Sequence, residues 1–99
     1  MSFRLIAFHY PRPAHAVELT QRIAKAAEIM AAAPGCQDID YWKDEGTGAI
    51  VATAKFDSKH TCLDALAAAA ETVDIAYDDR EERPRDVYYL VEADTNNHS

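Results

Sequence analysis

His9 and Tyr10 stand side by side at the end of an apolar stretch and are the first residues whose types could do chemistry. An imidazole titrates near neutrality, so His9 could act as general base on a phenolic substrate. The competing expectation is a strand-end histidine bonded to water or backbone. His60 falls in the first turn of a predicted helix, where the dipole disfavours an imidazolium and leaves a neutral ring able to accept a proton. Its alternative is an ordinary surface histidine. His15 opens the first predicted helix and is expected to be exposed. No two histidines share a helix at ligand spacing with a carboxylate, so no metal site is expected.

Aromatic residues gather around the same segments. Phe56, Tyr10, Tyr41, Trp42, Tyr88 and Tyr89 could wall a pocket for a planar ligand. Against this, aromatics commonly fill cores and interfaces. Cys62 sits near a helix N-terminus, where a thiolate is stabilised, but it falls on an apolar stripe, which predicts an inert core thiol. Cys36 is the other cysteine; the two form no CxxC and no zinc-type cluster. Arg80, Arg83 and Arg85 could close a pocket mouth over an anion. They are interleaved with Asp78, Asp79, Glu81 and Glu82, which predicts self-neutralising pairs in a solvated loop. Phosphate loops, nucleophile elbows and dinucleotide fingerprints are lacking.

The elements that must position these groups follow from apolar spacing. Phe3–Tyr10 reads as a strand with apolar residues in both alternate sets, ended by Pro11 and Pro13. Ala14–Ala33 reads as an amphipathic helix with Ala16, Leu19, Ile23, Ala26, Ala27 and Met30 on one face and a Glu18–Arg22 pair on the other. Pro34-Gly35 stops it. Cys36–Lys43 alternates Ile39 and Tyr41 with Asp38, Asp40 and Trp42, a polar content suited to a sheet edge. Asp44–Gly48 turns the chain into a strand over Ala49–Phe56, apolar in both alternate sets. Asp57 or Ser58 caps a helix over Lys59–Asp74, with Cys62, Leu63, Leu66, Ala69, Ala70 and Val73 as its stripe. A charged connection, Ile75–Arg85, leads to the last strand, Asp86–Glu92.

The order β-α-β-β-α-β is the ferredoxin-like α+β plan: a four-stranded antiparallel sheet with two helices on one face. Residues 1–93 make one domain and 94–99 a polar tail expected to be disordered. Since the strands are apolar on both faces, the sheet face without helices would expose a patch of the kind that marks an interface. The expectation is a homodimer through that face, a dimeric α+β barrel.

The 99 residues are 48% hydrophobic and 27% charged, with a formal net charge of -7. That balance predicts neither nucleic acid nor an anionic membrane as partner, since both need a basic face. With no secretory signal and no transmembrane stretch, the expected location is cytoplasmic.

Four segments carry a resemblance: Phe8-His-Tyr-Pro11, Ala33-Pro-Gly-Cys36, Tyr41-Trp-Lys-Asp-Glu45 and Phe56-Asp-Ser58. In these, over residues 3–92, the chain resembles the antibiotic biosynthesis monooxygenase family of dimeric α+β barrels. The resemblance implies a monooxygenase acting without cofactor on an aromatic quinol or anthrone-type compound. His9 or His60 would be the base, with Phe56, Tyr10, Tyr41, Trp42 and Tyr89 as substrate-binding walls. It equally admits a non-catalytic or stress-associated dimer that binds a small hydrophobic ligand. Phe56 stands where the family often has tryptophan, and Ala65 where many members carry a second-helix histidine; the absence of that histidine favours the second. The haem-degrading branch, known for an asparagine, tryptophan and histidine acting together, is not expected, because no asparagine precedes Asn96.

Overall fold

A computed structural model describes residues 2–93. The expected disorder of 94–99 concerns residues outside that range. The elements are β1 (Phe3–His9), a short 3-10 turn (Pro13–His15), α1 (Ala16–Ala31), β2 (Cys36–Lys43), β3 (Ile50–Phe56), α2 (Lys59–Thr72) and β4 (Asp86–Val91). The sheet runs β2-β3-β1-β4 with every neighbouring pair antiparallel. This is the expected ferredoxin-like α+β architecture.

Local chemistry accounts for the element ends. The first helix does not begin directly at Ala14. Pro13 fixes its own φ in a 3-10 turn, and α-helical geometry starts only at Ala16. Ser58 rather than Asp57 caps α2, its Oγ accepting the Thr61 N–H at 3.2 Å. Asp57 instead accepts the Thr61 hydroxyl at 2.6 Å. Gly35, at φ 87°, packs against this corner: a Cβ there would come within 2.7 Å of both Asp57 and Thr61, so only glycine fits.

Along β1, Phe3, Leu5, Ala7 and His9 turn toward the helices and are buried. With Met30, Ala54, Phe56, Cys62, Ala65 and Ala69, Phe3 and Leu5 form the main core; Leu19, Ile23 and Ile50 form a second cluster. The buried side of α2 is Cys62, Ala65 and Ala69, followed by the buried Val73 at its C-cap. Leu63 and Ala70, assigned to that side from the sequence, are exposed. Each lies one residue, about 100° of helix, past a buried position. The alanines bring α2 close to the sheet.

The opposite sheet face is uncovered in the single chain. Ile6, Phe8 and Val51 are half-buried there, while Trp42 (59%), Tyr88 (50%) and Leu90 (41%) are exposed. No helix among the described residues is long and apolar enough to cross a membrane.

Residues 75–85 depart from the expected solvated loop. Past the end of β1, Glu82 N–H donates to the Tyr10 carbonyl at 2.7 Å and Arg12 N–H to the Arg80 carbonyl at 2.9 Å. These bonds dock the loop beside β1 and turn Glu81 inward, where it is only 2% exposed.

Candidate functional site

Between the two core clusters the sheet and helices leave a cavity of about 200 Å³. Leu5, Ala7 and Ala54 form part of its sheet side, and Leu19, Ile23 and Ala26 of α1 part of its roof. These walls are apolar because the inward set of each strand and the inward stripe of α1 are apolar, and the alanines leave the space open.

His9 ends the inward set of β1 and brings an imidazole to this cavity. The residue is 8% exposed, and its Nδ1 has no hydrogen-bond partner among the described residues. Nδ1 faces Glu81 Oε1 at 3.8 Å, too long for a hydrogen bond. Arg85 holds the same carboxylate, with Nη2 to Oε2 at 2.7 Å and Nε to Oε2 at 2.9 Å. Its Nη1 also donates to the Ile75 carbonyl. Burial, and then the Arg85 cation, lower the His9 pKa from 6.5 to about 4. The ring is therefore neutral at pH 7.

Of the other charged residues at the cavity wall, Arg22 and Asp74 are paired, while Asp40 has no ion-pair partner among the described residues. Arg22 meets Asp74 at 3.0 Å and Glu18 at 2.9 Å. Arg80 extends this cluster to Asp74 at 3.1 Å and to Asp78. The Glu18–Arg22 pair and the mutual neutralisation of the loop charges were legible in the sequence; the burial of Glu81 and the contact of Arg85 with the cavity were not. The four-residue spacing of Glu81 and Arg85 was the available signal, and nothing in it separates Glu81 from Glu82.

The residues singled out from the sequence do not come together at one place. His9 and Tyr89 reach the cavity. Tyr89 stacks on Phe3 with ring centroids 6.0 Å apart and has Lys59 Nζ 5.6 Å over its ring. Phe56 is fully buried in the main core. Tyr41, opposite Ala52 on the edge strand β2, is 43% exposed. Tyr10 and Trp42 lie on the other sheet face and share a hollow with Phe8 and Val51. There Tyr10 donates to Asp86 Oδ2 at 2.5 Å, and Arg83 stacks 3.8 Å from its ring centroid. His60, with a side chain 85% exposed, pairs with Asp64 at 3.2 Å on the outside of α2. His15 pairs with Glu18 at 3.4 Å, half-exposed. Cys62 is fully buried, and burial raises its thiol pKa, as expected of a core cysteine.

Three solved structures of this architecture cover nearly the whole chain. Rv0793 from Mycobacterium tuberculosis superposes with a TM-score of 0.76 at 20% identity, covering 97% of this chain and 99% of its own. An antibiotic biosynthesis monooxygenase gives 0.72 at 13% identity, covering 93% and 99%. A single-residue mutant of SnoaB, a cofactor-independent oxygenase from Streptomyces nogalater, gives 0.70 at 13% identity, covering 98% of each. The chain has the antibiotic biosynthesis monooxygenase fold. No protein-family model matches its sequence, and no curated protein is significantly similar to it. The likeness to this fold is thus one of architecture, and the chemistry has to be argued from the cavity.

Proposed function

We propose that this chain is a cofactor-independent monooxygenase for an aromatic quinol, with His9 as base and Tyr89 as a wall. The observation that carries the reading is a neutral imidazole buried at a largely apolar cavity, with Arg85 held by Glu81 and Arg22 by Asp74. In such a site a phenolic O–H gives its proton to His9, and the resulting phenolate passes one electron to dioxygen. Low polarity keeps the substrate radical and superoxide together until they combine, and the peroxide takes the proton back from His9. One oxygen then stays on the carbon, whose C–H bond breaks, and the other leaves as water. His60, Tyr10, Trp42, Tyr41 and Phe56 have no part in this proposal, because they stand outside the cavity or beneath it.

The volume selects among substrates. A cavity of about 200 Å³ is only modestly larger than the ~150 Å³ engineered cavity that admits benzene. That favours one- or two-ring quinols over three-ring anthrones. The proposal includes a homodimer through the uncovered sheet face, supported by the exposure of Trp42, Tyr88 and Leu90.

Oxygen uptake over a panel of hydroquinones and anthrones tests the activity. The expected result is turnover of the smaller quinols, a loss of ~10²-fold or more in His9→Ala, and wild-type rates in His60→Ala. No oxygen uptake by the wild-type protein with any of the panel would reject it. A second reading, binding without turnover, is favoured by the His9 pKa of about 4, which marks a weak resting base. Saturable binding of a quinol with no oxygen uptake would select that reading.

A further inference from the structure

His9 is a weak base for a phenol unless something stabilises its protonated form, and the structure holds one group placed to do so. Glu81 is 2% exposed, and its Oε1 lies 3.8 Å from a ring nitrogen that is itself without a partner among the described residues. We propose that Glu81 is the positioning residue of the site: it fixes the Nδ1–H tautomer of His9 and receives that N–H as a hydrogen bond when Nε2 takes the substrate proton. This deepens the monooxygenase reading and rests on it for the identity of the base.

The geometry supports each half. One nitrogen of a neutral imidazole carries the proton, and the partner of that nitrogen decides which one. With a carboxylate on its Nδ1 side, His9 keeps the proton there and leaves Nε2 for the substrate. The gap is 3.8 Å; hydrogen bonds of this kind are often long before substrate is present and tighten with it. In the step itself the substrate O–H bond breaks and its electron pair stays on oxygen. The proton forms a bond to Nε2, and the imidazolium positive charge faces Glu81. No proton need pass to the carboxylate.

Arg85 has the complementary role. By binding Glu81 through Nε and Nη2 it fixes the carboxylate's position and makes its burial tolerable. It also opposes the charge on His9, so the ring stays neutral until substrate arrives. Of the other charged residues at this cavity, Arg22 on α1 and Asp74 beyond α2 are bound to each other, and Asp40 on β2 is without an ion-pair partner among the described residues.

The test reads the tautomer by 15N NMR of the histidine ring in the ligand-free protein at about pH 7.5, so it needs no substrate. At that pH a ring of pKa about 4 is neutral and its two tautomers are resolved. Wild-type His9 is expected to be predominantly Nδ1–H with Nε2 bare. The double variant Glu81→Leu, Arg85→Met removes the acceptor without stranding the guanidinium and is expected to lose that preference. A wild-type ring protonated on Nε2 overturns the proposal, and so does a double-variant ring with the wild-type tautomer. Should the double variant fail to fold, the wild-type spectrum still decides. If the tautomer is as stated but no quinol is oxidised, the monooxygenase reading fails and the positioning of His9 by Glu81 stands.

Discussion

Arg85 reaches back four residues to hold the buried carboxylate of Glu81 at 2.7 Å. An ion pair this enclosed costs much to break and little to replace, because removing one partner strands a charge away from water. Arg85→Met should therefore destabilise the protein by about 3–5 kcal/mol, read as a fall in urea midpoint. The double variant Glu81→Leu, Arg85→Met should recover a large part of that loss. A single variant as stable as wild type would mean that Glu81 can turn out to solvent.

The buried histidine sets an acid-side stability window. Native His9 resists a proton that the unfolded chain accepts from pH 6.5 downward. Between 6.5 and about 4 the unfolded state binds more protons, so stability is complete above that window and is lost as pH falls through it. The loss is on the order of 3 kcal/mol. Asp78, held down to about 2 first by its hydrogen bond from Arg80, contributes stability that goes only at lower pH. Urea midpoints at about pH 7.5 and about pH 4.5 should differ in the wild type and converge in His9→Gln. An equal difference in both proteins would assign the acid sensitivity to other groups.

The second strand, the hairpin, the cap region and the order of elements were legible because each is written in local periodicity or turn chemistry. The site was less so, for two physical reasons. Adjacent strand residues face opposite ways, so His9 and Tyr10 cannot share one cavity, nor can Tyr41 and Trp42. With both alternate sets apolar, hydrophobicity could not say which set met the helices. The second reason is Glu81. Its burial depends on backbone bonds between residues 10–12 and 80–82, from opposite ends of the chain, and a local run of charges carries no trace of them.

The uncovered sheet face predicts association. Phe8 lies on the inner strand β1 of this face and meets Tyr88 edge-on, with ring centroids 6.2 Å apart. A charge there would have to be desolvated on both sides of a two-fold contact. Sedimentation is expected to show a dimer at micromolar concentration and a folded monomer for Phe8→Glu. A monomeric wild type would leave Trp42, Tyr88 and Leu90 facing water and remove the dimer from the proposal.

The cavity can be filled without touching His9. Ala26 lies on the inward side of α1 and lines the cavity, so Ala26→Phe places a ring in the space a ligand would take. Filling an existing void usually leaves stability unchanged or raises it by roughly 1 kcal/mol, so lost binding could not be blamed on unfolding. With 1-naphthol as a probe, affinity should fall at least tenfold, while Ala68→Phe on the exposed side of α2 should bind as wild type. A separate hollow beside Tyr10, Trp42 and Phe8 gives the result its power. If Ala26→Phe binds 1-naphthol normally and Trp42→Ala does not, the ligand sits on the other side of the sheet, where His9 cannot reach it.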